Sequence, residues 1–198
     1  MSEYYKEKHN PNRKKIILIT GVSGVGKDTF AEELKKQLES KGKKVLILHN
    51  ATPVIEFAKK YFDVDDYKNS IGKETIMQLT KLFYLKDPFY FEKELDKKID
   101  YLENINKEKY EYIIIPDWRY KATYQHFHTY SYIRYQDLYS VMLTREIKQN
   151  TYEMSEESCF KERKLLQELG DYIQMKMNIE SLDDLEQSVE DFIVCTLT

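Results

Sequence analysis

Cysteine is nearly missing from this chain of 198 residues: Cys159 and Cys195 are the only two, with no C-x-x-C spacing and no histidines grouped beside them. That excludes a disulfide framework and a cysteine-ligated zinc site, and makes a reducing compartment the natural one. Long apolar runs are absent as well, so no segment reaches membrane-spanning length, and the polar start from Met1 to Lys15 has no apolar signal core. The expectation is a soluble cytoplasmic protein without a membrane partner. Charge of one sign is not segregated either. The net charge is −3, with acidic and basic residues interspersed, which excludes the basic face that duplex binding needs. The short clusters Arg13-Lys14-Lys15 and Lys41-Gly42-Lys43-Lys44 read as solvated charge flanking strands, and no polymeric nucleic acid is expected as a partner.

Proline and glycine are few, at 4 and 6 residues, and both are placed informatively. Pro11 lies in a polar, aperiodic beginning expected to fray. Pro53, Pro88 and Pro116 each break a periodic segment. Three of the glycines fall within Gly21-Val22-Ser23-Gly24-Val25-Gly26-Lys27-Asp28-Thr29. The apolar run Ile16-Ile17-Leu18-Ile19-Thr20 precedes this stretch and a helical pattern from Phe30 follows it. Strand, glycine loop and helix in that order, with glycine, four residues and Gly-Lys, form a phosphate-binding P-loop.

What the chain does have is tyrosine, 17 residues of it, and a regular alternation of strand and helix patterns. Lys15 to Thr20, Lys44 to His49, Tyr112 to Ile115 and Tyr139 to Thr144 are apolar runs of strand length, the pattern of strands buried on both faces of a parallel sheet. Asp171 to Asn178 alternates apolar and polar residues, which predicts an edge strand with one wet face. Helices are predicted after the loop (Phe30, Ala31, Leu34, Leu38), from Thr52 and Pro53 (Val54, Phe57, Ala58, Phe62), from Gly72 to Asp87, and from Phe91 to Asn104. A short one is expected over Ala122 to Tyr130. Ser181, with Asp184 three residues on, caps a last helix carrying Leu185, Val189 and Phe192. Length and pattern give one α/β domain: a sheet core over 13–50 and 110–198, a helical region over 51–109, and a polar, charged lid over 145–165.

Ligands of such sheets sit beyond the carboxyl ends of the strands. The loop, Asn50, Asp117 and Arg145 all follow predicted strands, so they are expected at one mouth. Lys27 reaches the outer phosphates of a nucleotide, and the backbone N–H groups from Gly21 to Thr29 cradle the rest. Asp28 stands where the loop pattern has Ser or Thr; as a carboxylate it suits magnesium, directly or through water, with Thr29 as a spare hydroxyl. Asp117 is either a second magnesium ligand or a turn cap. Arg119 would bind an acceptor phosphate through its fork. Arg145 and Arg163 are the lid cations expected over a transferring phosphoryl group, in a segment that also reads as a solvated charged helix; Arg134 has no placement. Gln78 reads either as a base contact or as an ordinary exposed glutamine. Phe83, Tyr84, Phe89 and Tyr90 read as core aromatics that could also stack on a base. His126 and His128, two apart, would suit a metal on a strand but lack a third ligand.

The loop, with Asp after its lysine, resembles that of the viral deoxynucleoside monophosphate kinases. Matching segments follow in order: Ala51-Thr52-Pro53 opening a helix that ends Lys60-Tyr61-Phe62, Ile76-Met77-Gln78-Leu79, Asp87-Pro88-Phe89-Tyr90, and Ile115-Pro116-Asp117-Trp118-Arg119. A strand ending at Asn178, followed by Ser181-Leu182 and a helix, closes the series. The resemblance implies a P-loop NTPase three-layer fold with a mostly parallel five-stranded sheet, a helical acceptor-binding insertion and a short lid. It implies ATP and magnesium as cofactors, transfer of the ATP γ-phosphate to a (deoxy)nucleoside 5′-monophosphate, and small-molecule nucleotides as partners, with a homodimer admitted. For a viral protein the compartment would be the host cytoplasm. Matching positions imply Lys27 and its glycines for ATP, and Asp117 with Arg119 near the acceptor or metal. Taken with the reading of the residues above, catalytic roles are expected of Lys27, Asp117, Arg119 and Arg145, substrate contacts of Asn50, Gln78, Arg119 and Arg163, and metal contacts of Asp28 and Asp117. Two departures stand out: Ile55 where the family often has lysine, and Glu74-Thr75 where it has a basic residue. Gly26-Lys27-Asp28 also resembles the loop of the animal-type phosphomevalonate kinases, which implies a kinase for another small phosphorylated acceptor as an alternative; the residues also admit a nucleotide-binding module without turnover.

Overall fold

The structure is a computed structural model that describes residues 14–62, 70–107, 109–130, 135–144, 164 and 166–197. The expected frayed beginning, the turn after Phe62, Arg134 and nearly all of the lid, with Arg145 and Arg163, lie outside the described residues. Contacts divide the chain into two compact units, Met1–Ile47 with Lys109–Thr198, and Leu48–Glu108.

The first unit is built on a five-stranded sheet in the order β2-β3-β1-β4-β5: β1 (Lys14–Thr20), β2 (Val45–Ile47), β3 (Tyr112–Ile115), β4 (Tyr135–Thr144) and β5 (Met175–Asn178). Every adjacent pair is parallel. β1 lies at the centre, and its run Ile16 to Ile19 is fully buried, as an apolar strand covered on both faces must be. β5 lies at an edge and alternates half-buried methionines with exposed Lys176 and Asn178, so the alternation in the sequence carried the right meaning.

Helices cover this sheet. α1 (Lys27–Ser40) buries Phe30, Ala31, Leu34 and Leu38 against it, while Gly42, at φ 76, turns the chain back toward β2. The helix that ends the chain's α/β alternation (Leu182–Phe192) contributes Leu185, Val189 and Phe192 to the same core. Phe192 meets Phe30 edge-to-face at 6.3 Å, which joins the two helices.

Strand lengths differ from the sequence expectation at β2, β4 and β5. β2 is only Val45–Ile47 and stops before His49. β5 starts at Met175 because Gly170–Tyr172 is a 3₁₀ turn: the Ser140 hydroxyl donates to the Tyr172 carbonyl, and Gln174 exchanges hydrogen bonds with Ser140 through both side chains. β4 in turn begins earlier than Tyr139 and takes a register shift opposite Lys14 and Lys15.

Among the described residues the second unit holds three helices: α2 (Thr52–Phe62), α3 (Ser70–Lys86) and α4 (Tyr90–Asn106). Val54, Ala58, Leu79 and Phe91 form its core, with Phe57, Phe83, Tyr84 and Tyr90 packed around them. Phe83 and Tyr90 stack at 4.6 Å and nearly parallel, so these aromatics hold one another. Asp87 ends α3 and opens α4, accepting from the Phe89 N–H and pairing with Lys93; both hold its carboxyl below the usual range, the lysine more strongly.

Back in the first unit, α5 (Lys121–Tyr130) follows β3, and Leu182–Phe192 is α6, continued by a π-helical turn over Ile193–Leu197. His126 and His128 therefore lie on a helix, where residues two apart face different ways. His126 is buried, and His128 stacks on Tyr124 at 5.8 Å.

Candidate functional site

The loop joins central β1 to α1, and its shape follows from its glycines. Gly24 and Gly26 have φ of 79 and 98, and Gly21 has φ of 144. Gly26 is the N-cap of α1, and among the described residues no side chain caps this helix. A helix start without a side-chain cap presents backbone N–H groups to an anion, and the macrodipole adds to the attraction. Gly21 is required for a different reason: a Cβ there would sit 2.5 Å from the Leu143 carbonyl oxygen of β4 and 3.0 Å from Val25 Cγ1. Val25 is buried and its N–H donates to the Val22 carbonyl, which folds the middle of the loop, while Ser23 and Gly24 are exposed.

Lys27 does not extend into solvent. Its Nζ donates to the Gly21 carbonyl at 2.9 Å and to the Val22 carbonyl at 2.8 Å, so the ammonium is held over the start of the loop. Arg119 arrives at the same place from the end of β3, its Nη1 donating to the Gly21 carbonyl at 3.2 Å. One carbonyl oxygen thus gathers two cations from distant parts of the chain.

That convergence depends on Trp118. Its N–H donates to the Ile19 carbonyl at 3.1 Å, tying the exit of β3 to the last residues of β1. Its indole is fully buried and donates to the Tyr120 carbonyl at 2.8 Å. Asp117, half-buried in the turn, and Arg119 are held on either side of this anchor. Burial pushes the Tyr120 phenol up, and the Arg119 charge beside it pulls the other way. Asp28 lies on the exposed first turn of α1, where a carboxylate is favoured by the helix dipole.

The loop, Lys27, Asp28, Asp117 and Arg119 therefore belong to one unit and to neighbouring strand ends. Asn50 and Gln78 belong to the other unit. Asn50 is buried in the turn before α2, and Gln78 is exposed on α3, donating to Glu74 Oε1 at 2.6 Å. Sequence reasoning named Trp118 within the segment Ile115 to Arg119 but gave it no role; the signal for one was its position between two charged residues at a strand exit. It also gave no role to Thr20, fully buried at the root of the loop, whose hydroxyl has no hydrogen-bond partner among the described residues.

Among the described residues no group of three or more His, Cys, Asp or Glu is gathered to hold a metal. Magnesium at a nucleotide site asks for less, one or two carboxylates with phosphate and water completing the shell. No helix among the described residues is long and apolar enough to cross a membrane.

The sheet order, the loop and its two cations define a P-loop protein of the kinase type. The adenylylsulphate kinase family profile matches residues 13–61, from β1 through the loop and α1 to α2, and stops before β3. The match places the chain among the P-loop kinases as a class. Comparison with the curated proteins gives no match. Similar solved structures include the Mycobacterium tuberculosis APS kinase in complex with AMPPNP and APS, at 11% identity and TM-score 0.42, covering 94% of this chain and 99% of that one. Another is the Deinococcus radiodurans tunicamycin resistance protein, at 13% identity and TM-score 0.47, covering 92% and 95%. Neither likeness assigns a residue or a substrate.

Proposed function

We propose that this protein transfers the γ-phosphate of ATP to a (deoxy)nucleoside 5′-monophosphate. The observation that carries the reading is the meeting of Lys27 and Arg119 on the Gly21 carbonyl, beside a helix start that no side chain caps among the described residues. Phosphoryl transfer leaves little covalent work to the protein. It needs donor and acceptor held in line and negative charge neutralised as it spreads over the equatorial oxygens. In this reading the loop N–H groups hold the donor and Lys27 draws charge from its outer phosphates. An oxygen of the acceptor phosphate then bonds to the γ-phosphorus as the bond to the ADP oxygen breaks. Asp28 and Asp117 would hold magnesium, which when bound neutralises charge between the phosphates. Asn50, Gln78, Arg145 and Arg163 are proposed acceptor and lid contacts.

A second reading is favoured by the family match: an acceptor such as adenylylsulphate, itself a small phosphorylated nucleotide. That match ends at residue 61 and so speaks for the donor side. ADP release measured with ATP and magnesium, over a panel of deoxynucleoside and ribonucleoside monophosphates and adenylylsulphate, separates the readings. An increment with a monophosphate is expected. An increment with adenylylsulphate alone moves the acceptor to the second reading, and none with any acceptor, while ATP still binds, leaves a nucleotide-binding module.

A further inference from the structure

We infer that Arg119 is a ligand of the donor nucleotide's outermost phosphate, and hence the residue by which the site tells a triphosphate from a diphosphate. This rests on the donor half of the kinase reading and moves Arg119 from the acceptor side, where the sequence suggested it.

In a loop of this kind the backbone N–H groups take the inner phosphates and the lysine takes the outer ones. The Lys27 head is fixed at the loop entry by the carbonyls of Gly21 and Val22. Arg119 donates to the first of those same carbonyls, so its guanidinium lies beside the ammonium, on the outer-phosphate side. Two cations gathered at one neutral oxygen set positive charge where an oxyanion reaching both is favoured. A guanidinium carries its donors in a fixed planar fork, a shape that matches phosphate oxygens. The backbone that delivers it is fixed at Trp118, through the bond to Ile19 and the buried indole. The cation is thus placed before any nucleotide arrives, which is what makes such a contact effective.

The test is calorimetric titration of wild type, Arg119→Ala and Arg119→Lys with ADP and with an ATP analogue whose β,γ bridge is an imido group, at one magnesium concentration. Loss of a charge-assisted phosphate contact should weaken the analogue by about tenfold to a hundredfold in Arg119→Ala while ADP affinity stays near wild type. Arg119→Lys, which keeps the charge and loses the fork, should fall between. Equal losses for both nucleotides, or none for the analogue, would overturn the assignment. If Arg119→Ala melts early, the ratio in Arg119→Lys decides, and an unchanged ratio there overturns it. Wild type that binds neither nucleotide overturns the donor site itself. Wild type that binds both yet phosphorylates nothing in the acceptor panel overturns only the kinase reading.

Discussion

A methyl group added to residue 21 would have nowhere to go. It would meet the Leu143 carbonyl oxygen at 2.5 Å, and that oxygen belongs to the backbone of β4, a strand paired on both sides. Gly26 differs: a Cβ there meets nothing within 4 Å, and only its φ of 98 resists substitution. Overpacking by a methylene-sized group costs about 1–3 kcal/mol, so Gly21→Ala should lose clearly more stability than Gly26→Ala in urea unfolding. Equal losses would contradict the steric role of β4. The spacing of these glycines was readable in the sequence, and with it the loop. Which glycine is held by sterics was not, because Leu143 is remote along the chain and adjacency arises only in the sheet. Arg119 was likewise readable as a cation near the mouth, but its partner was not, since a backbone carbonyl leaves no trace in residue identity.

Elements were more legible than their ends. Fully apolar strands such as β3 were read to the residue, because burial on both faces leaves no ambiguity of period. β2 and β5 were overread, the latter because Ser140 and Gln174 satisfy backbone groups that a longer ladder would have used. The start of α6 was legible in full: Ser181 Oγ accepts from the Asp184 N–H at 3.0 Å, and Asp184 Oδ2 accepts from the Ser181 N–H at 2.9 Å. Removing an N-cap hydroxyl costs about 1 kcal/mol. Ser181→Ala should therefore lower unfolding stability by about that amount and leave nucleotide affinity unchanged. Ser181→Asn or Ser181→Asp should restore it, and failure of both would mean the loss came from elsewhere.

At the scale of the molecule, the sheet order could not be read from the sequence. Alternating strands and helices announce a parallel sheet without saying which strand lies central, since that depends on the direction of each crossover. The order observed puts β4 between β1 and β5, and Tyr139 of β4 packs against the main core. Burial, with Asp137 adding negative charge nearby, pushes the Tyr139 phenol up to about 12. A folded-state value above the unfolded one means the folded protein holds its proton longer. The associated stability is present below the ordinary tyrosine range near pH 10 and is lost as pH rises toward 12. Denaturant midpoints across that interval should fall less steeply in Tyr139→Phe than in wild type; parallel curves would show that the residue is not linked to unfolding.

The same tie that positions Arg119 also gives the molecule an optical label. Trp118 is the chain's one tryptophan, its indole is fully buried, and it follows Asp117 directly at the exit of β3. Indole emission therefore comes from a single address beside the phosphate loop, set against a background of 17 tyrosines that can be avoided by exciting at longer wavelength. Its colour and quenching report the local packing of that address, so the arrival of a nucleotide can be followed by fluorescence without attaching a dye.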